Sequence, residues 1–410
     1  MIVCKFGGTS VATSDSAKNI KKILADNPNR RIVVVSALGT CKEFNYKITD
    51  KLFELFHTIE CDCNYKKIVD EIFIRYEKLS IQLEMDIDWK QEKDVLIKNI
   101  ISKNYTKEYL ASRGEYYSAI LYSKYLGYDF VDAKDYIKIN KNGKIDVKNT
   151  KKCLKKLIFS NGVVVGGYYG SDELGNICVL DRGGSDITGA IIARELNCEI
   201  YENFTDVDGI YDKNPNMFKA ANHLPVLSYK SAINMADNGN EVVHKDALCY
   251  MNNSNSVMMI KSTNNYKALG TIIAHGDVLS NNLFVSRSKL LCVVFNVLDN
   301  ETYLKLNKIC EVFKIINYDK KYIVLIKSIY YPIGKLEEMF DALSVSSVVT
   351  YSLFSQIMFN KDNLKIIKKI SKNVKKNSIY CEFVSFFNNF LIIGSLKDDN
   401  KILATINKCI

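Results

Sequence analysis

The order of apolar runs and helix-length stretches predicts an α/β fold: a mostly parallel sheet sandwiched by helices, carrying a helical insert and followed by two small α+β units. Three observations predict it. Short β-branched runs at residues 1–6, 32–35, 128–131, Val163–Gly166 and 199–201 alternate with helical stretches, which implies parallel strands with crossover helices on both faces. Polar and glycine-rich strings follow three of these runs: GGTS after the first, SALG after the second and GGYYGS after Val165. Those are the carboxyl ends of strands, where ligands bind in such sheets. Between about residues 46 and 125, apolar residues recur at helical spacing instead, as in Ile68, Ile72, Tyr76 and Leu79.

The elements follow in order. A strand over residues 1–6 enters a glycine turn and a helix over 14–25, then the strand at 32–35. The helical insert has the lone tryptophan, Trp89, as its expected core plug. An apolar helix over 187–196 opens with Ser185 or Asp186 as its expected cap. The region from 1 to 282 reads as one domain. From 283 to 410 a strand at 290–297, a helix at 301–313, a strand at 322–326 and a helix at 336–343 begin a second alternation, repeated from 347 to the end. Two βαββαβ-like units of roughly sixty residues each account for it.

Composition excludes several classes. A chain of 410 residues with 47% hydrophobic content builds two or three cores. It has no apolar run of about eighteen residues, so no membrane partner is expected, and its start lacks the pattern of a signal peptide. Twelve cysteines are scattered without framework spacing, as in a cytoplasmic protein with reduced thiols. Cys61, Cys63 and His57 lack an evident fourth ligand, and no metal site is assigned. The net charge of +10 is spread along the chain. Its densest stretch, 361–376, reads as an amphipathic helix with a solvated lysine face, and no nucleic-acid partner is expected.

Four strings carry chemistry. In KFGGTSVA, Lys5 places a cation where Gly7, Gly8 and Thr9 let backbone N–H groups approach an anion. In LDRGGSD, the planar fork of Arg182 suits a carboxylate, beside Ser185 and Asp186 at a helix start. FTDVDGIY offers Thr205 and Asp206 after a strand, with Tyr211 able to pack on a base. SRGE, read as the start of a helix, presents Glu115.

With VVSA added, these strings stand in the order and spacing of the aspartokinases, and over about residues 1–280 the chain resembles that branch of the amino-acid kinase family. The resemblance implies the amino-acid kinase fold and transfer of the ATP γ-phosphoryl group, with Mg²⁺, to the side-chain carboxylate of L-aspartate. It implies that Lys5 holds the transferring group, with Gly7 and Gly8 as backbone donors and Asp186 ordering Lys5. It places Arg182 and Ser185 on the substrate carboxylate with Ser36 and Thr49 nearby, Glu115 on the ammonium, and Thr9, Thr205, Asp206 and Tyr211 about the nucleotide. The tail is similar in length and alternation to paired ACT domains, which implies a homodimer or higher oligomer and lysine or threonine as effector. Three departures stand against full equivalence: Asn216 and Glu241 replace expected cations, and only Pro332-Ile333-Gly334 resembles an effector loop. A kinase of another amino acid, or a silent amino-acid sensor on this scaffold, stays open at this stage.

Overall fold

Five residues, IVCKF, make the first strand of the computed structural model, and all five are buried. The structure describes residues 1–140, 142–180, 183–212, 215, 221–237, 242–275, 286–295, 298–318, 321–329, 352–360, 368–370, 372–373, 381–386, 389–395, 401–402 and 404–405. The chain divides into two units, Met1–Ile210 with His223–Ser280, and Tyr211–Asn222 with Asn281–Ile410.

The first unit runs β1 (Ile2–Phe6), α1 (Ser14–Ala25), β2 (Arg30–Val35), α2 (Ile48–Glu60), α3 (Lys66–Gln82), α4 (Trp89–Ile101) and α5 (Lys107–Leu126). There follow β3 (Asp129–Val131), α6 (Ala133–Tyr136), α7 (Val147–Leu154), β4 (Val163–Gly166), β5 (Tyr169–Ser171) and β6 (Ile177–Val179). It closes with α8 (Gly184–Glu195), β7 (Ile200–Thr205), β8 (Val226–Ser228), α9 (Tyr229–Asp237), α10 (Lys245–Asn252), β9 (Val257–Ser262) and β10 (Thr271–Ala274).

Eight of these strands form one sheet in the order β3-β4-β2-β1-β7-β9-β10-β8. From β3 to β9 every neighbouring pair is parallel. Only β10 turns against β9, and β8 follows β10. The predicted mostly parallel sheet is what forms. Because β2 lies on one side of β1 and β7 on the other, the strand order reverses at β1. The carboxyl ends of β1 and β7 therefore open a crevice.

Helices α2 to α5 make the insert. Trp89 is its plug: 2% exposed, it donates Nε1–H to Ser80 Oγ at 2.8 Å and packs among Phe73, Tyr76 and Tyr117. Helix α5 starts at a Thr106 cap and stops where Gly127 takes the left-handed conformation. SRGE thus lies in the second turn of α5 rather than at a helix start.

The second unit carries a six-stranded antiparallel sheet of β11 (Ser286–Phe295), β12 (Cys310–Tyr318), β13 (Lys321–Ile329), β14 (Ser352–Asn360), β15 (Cys381–Phe386) and β16 (Asn389–Ser395), in the order β12-β13-β11-β14-β16-β15. The order is symmetric about the β11–β14 pair: each half places three strands alike, and α11 (Asn300–Ile309) follows β11. The helix expected over 301–313 ends at Ile309, because the β-branched run CEVFKIINY pairs antiparallel along β13. The helix expected at 336–343 and Pro332-Ile333-Gly334 lie outside the described residues. Of the lysine-rich stretch 361–376, residues 368–370 and 372–373 are described, as helix with Ile370 buried.

Candidate active site

Side chains alternate across a strand, so Lys5 faces the opposite side of the sheet from Cys4 and Phe6. Asn203 of β7 is its partner in register and shares its face. Asp186, in the first turn of α8, meets both: Lys5 Nζ lies 2.6 Å from Asp186 Oδ1, and Asn203 Nδ2–H donates to the same oxygen at 3.0 Å. The N–H of His244 donates to Asp186 Oδ2 at 3.1 Å. Tyr201 fixes the backbone beneath by donating its hydroxyl to Asp186 O at 3.1 Å. Lys5 and Asp186 are both buried. Such a pair survives desolvation only when its remaining lone pairs are satisfied, and here each carboxylate oxygen has a donor.

Neither Ser185 nor Asp186 caps α8, contrary to expectation. The helix begins after Gly183, at φ 79°, with no side-chain cap. The Asp186 carboxylate is recruited across to Lys5 and Asn203 instead of folding back on its own helix.

The turn after β1 also differs in detail. The N–H of Gly7 is spent on Phe204 O at 3.1 Å, so Gly7 is not a free donor. Among the described residues the N–H groups of Gly8, Thr9 and Ser10 have no partner, and these three are the open amides beside Lys5. Thr9 is exposed. Ser10 is pinned from below by Thr263 Oγ1 at 2.7 Å.

From Gly8 a chain of close approaches leads around the crevice. Gly39 N–H donates to Gly8 O at 2.8 Å, and a Cβ on Gly39 would lie 2.6 Å from Gly8 C. Two residues earlier, Ala37 touches Gly114, where an added Cβ would come within 2.6 Å of Ala37 Cβ. Gly166, closing β4, faces the Glu115 carbonyl at 3.0 Å from its would-be Cβ. Gly167 leaves room for Ser185, whose Oγ an added Cβ would reach at 2.6 Å. Ser185 leads back to Asp186. Lys5, Gly8, Glu115, Ser185 and Asp186, far apart in sequence, are thus joined by one chain of close approaches.

Ser36 continues from β2, its N–H on Phe6 O at 3.1 Å, and Thr49 opens α2, which is tied to the same loop by Ile48 N–H to Leu38 O at 3.0 Å. Thr205 ends β7 and donates its hydroxyl to Asp206 Oδ1 at 3.1 Å, with Asp206 exposed. Tyr211 falls in the second unit. Arg182, Asn216 and Glu241 lie outside the described residues.

Glu115 is 4% exposed, and its Oε2 has no hydrogen-bond partner. Burial pushes its carboxyl up to about 8, only partly countered by the N–H of Ala37. A buried acid with one unsatisfied oxygen and a raised pKa is a candidate functional group. Asn203 and His244 carry no motif and were invisible as site residues in sequence. The one signal was a polar pair, Glu202-Asn203, inside an otherwise apolar strand.

A mostly parallel sheet whose strand order reverses at a glycine turn, with open backbone amides, a lysine and a helix-borne aspartate there, defines an α/β protein with a candidate anion site at the strands' carboxyl ends. The sequence model of the Amino acid kinase family matches residues 1–262, and the chain belongs to that family. Aspartokinase 3 of Bacillus subtilis (strain 168) is 30% identical over 285 residues, covering 66% of this chain and 63% of that protein. Aspartokinase 1, chloroplastic, of Arabidopsis thaliana is 26% identical over 306 residues, covering 69% and 54%. The chain therefore spans less than two thirds of the length of these relatives. In fold it is similar to the aspartate kinase of Clostridium acetobutylicum, at a TM-score of 0.78 and 24% identity over the whole of both chains. It is also similar to E. coli aspartokinase III in complex with aspartate and ADP, at 0.75 and 20% identity, covering 100% and 99%.

Proposed function

We propose that this chain is an aspartokinase, which moves the γ-phosphoryl group of ATP to the side-chain carboxylate of L-aspartate and yields 4-phospho-L-aspartate, the first step toward lysine, threonine and methionine. The observation that carries the reading is the buried Lys5–Asp186 contact of 2.6 Å at the carboxyl end of β1. Lys5 then stands beside the transferring group, where negative charge spreads over the phosphoryl oxygens. The Gly8, Thr9 and Ser10 amides supply further donors there. The acceptor carboxylate, with a pKa of about 3.9, is already ionised at neutral pH, so no general base is needed. Positioning and charge stabilisation carry the rate.

Glu115 gives the acceptor side a place for the substrate ammonium, and Ser36, Thr49, Ser185 and Arg182 complete our assignment of that side. Thr9, Thr205 and Asp206 are assigned to the nucleotide. Mg²⁺ fits this chain as an ion brought in with the nucleotide. Among the described residues no three acidic, cysteine or histidine side chains gather into a metal cage. Mg²⁺ bound to phosphates needs only one or two carboxylates and keeps its waters. Asp186 is the carboxylate nearest the phosphoryl end, and the ion would there neutralise phosphate charge. The second unit is assigned to homo-oligomer assembly in a cytoplasmic enzyme.

Incubating the pure chain with Mg-ATP, hydroxylamine and either aspartate or glutamate tests the reading. Hydroxamate with aspartate alone supports it. Hydroxamate with glutamate alone reassigns the acceptor, and none with either removes the kinase proposal.

A further inference from the structure

Arg75, in the third turn of α3, is 1% exposed, yet no carboxylate pairs with it among the described residues. Its Nη1 donates to Tyr46 O at 2.6 Å and its Nη2 to Gly39 O, while Nε has no hydrogen-bond partner among the described residues. The guanidinium lies 5.1 Å from the Phe44 ring and 5.4 Å from the Tyr46 ring. Burial without a counter-ion holds it below the usual guanidinium range. A methionine or leucine would fill the same volume without the desolvation cost of a buried charge. What only a planar fork supplies is a simultaneous hold on two carbonyls seven residues apart.

Those two carbonyls bound one loop, 39–46, which leaves β2 and enters α2. At its near end Gly39 holds Gly8 O through its own N–H, and beyond its far end α2 starts at Ile48, with Thr49 in its first turn. The loop is further fastened to α3 by Lys78–Glu43 at 2.6 Å and by Tyr46 hydroxyl to Glu71 O at 3.2 Å, both more exposed than Arg75. Arg75 is thus the buried brace of a loop that touches the glycine turn at one end and the acceptor-side residues at the other.

We propose that Arg75 is a positioning residue, which sets the loop 39–46 so that the acceptor aspartate is held in line with the phosphoryl group. The proposal rests on the kinase reading above. Arg75 itself touches no nucleotide-side residue named here and reaches the glycine turn only through Gly39, so its effect falls chiefly on the acceptor. Replacing it leaves Lys5, Asp186 and Asn203 in place, whereas the loop loses its register by fractions of an ångström to an ångström.

Two variants test it. R75M removes the charge and both donors. R75K keeps the charge but reaches at most one carbonyl. Both are assayed for steady-state turnover against each substrate, with binding of a fluorescent ADP analogue and thermal unfolding measured in parallel. Both are expected to raise KM for aspartate by about tenfold or more, with kcat lowered, since misplacement on the scale of an ångström costs up to about a hundredfold. Affinity for the ADP analogue is expected to stay within about twofold, a free-energy change well below a tenfold step. R75K settles the matter if R75M fails to fold. An unchanged KM for aspartate overturns the proposal, as does a matched loss of both substrates that follows the loss of stability. If the unmutated chain makes no acyl phosphate but binds the ADP analogue, the kinase reading has failed rather than this one. In that case R75K binding aspartate as tightly as the unmutated chain, measured by calorimetry, overturns the positioning role.

Discussion

Glu115 couples the site to pH, and the sign of that coupling is fixed by its burial. Its carboxyl is raised from 4.5 to about 8 because the folded chain strips it of water and leaves Oε2 without a donor. Between those two values the folded state keeps a proton that the unfolded state has released. Stability therefore falls as pH rises through the window, and the slope vanishes above the folded value. At about 1.4 kcal/mol per pH unit the full effect has a ceiling near 5 kcal/mol. From pH 5.5 to 8 it amounts to about 3 kcal/mol. Glu115→Gln keeps the shape and removes the titration. Urea unfolding followed through Trp89, which sits in the core of the same insert, measures both proteins at each pH. The expected result is a stability gap that opens in favour of the glutamine variant as pH rises. Parallel curves over pH 5.5 to 8 would show that Glu115 is ionised in the free protein and refute the argument. An ammonium ligand at Glu115 reverses the burial penalty, so aspartate binding at pH 7 is expected to release close to one proton, read by calorimetry in buffers of differing ionisation enthalpy.

Other perturbations separate the groups around Asp186. Lys5→Met is expected to lower kcat by about a hundredfold or more, the scale for losing one charge-stabilising donor, and turnover within tenfold of the starting protein removes Lys5 from the chemistry. Asn203→Leu withdraws one donor from a buried carboxylate, so a stability loss of about 1–3 kcal/mol is expected in urea titration, with kcat reduced more than KM. Gly39→Ala drives a methyl group to 2.6 Å from Gly8 C and is expected to abolish turnover while circular dichroism shows the helices intact. Lysine and threonine are each expected to change turnover by less than about twofold, below the fivefold floor of ordinary allosteric coupling, and steep inhibition by either would reverse that expectation.

The sheet was legible because its strands are continuous β-branched runs, such as Ile32–Val35, that no helix of that length would explain. Lys5, the glycine turn and Asp186 stood out because the strings KFGGTSVA and DRGGSD resemble those of the aspartokinases, whereas each residue type alone is ordinary at a strand end or helix start. What escaped was whatever depends on register. Asn203 joins the site only because β7 pairs beside β1 with no offset, and His244 contributes a backbone N–H that any residue possesses. The cap on α8 failed for a related reason: a local preference of Asp186 for its own helix lost to a lysine almost two hundred residues away in sequence. The end of α11 was misplaced because CEVFKIINY satisfies helical spacing and strand alternation alike, and tertiary pairing with β13 decided it.

The two sides of the crevice differ in what supports them. The phosphoryl side rests on β1, β7 and α8, elements of the sheet and its covering helix, and its charges are satisfied in the free protein. The side we assign to the acceptor rests on the insert: α5 brings Glu115, α3 brings Arg75 and Tyr76, and Tyr76 donates its hydroxyl to Gly114 O at 2.7 Å. That side keeps two unsatisfied polar atoms, Glu115 Oε2 and Arg75 Nε. A buried polar group without a partner destabilises the free state relative to any bound state that supplies one. In the proposed reading a substrate ammonium would supply it at Glu115, and part of the acceptor's binding energy would come from satisfying that oxygen. On the phosphoryl side the one such atom is Asn203 Oδ1, a neutral amide oxygen whose own Nδ2–H is held by Asp186.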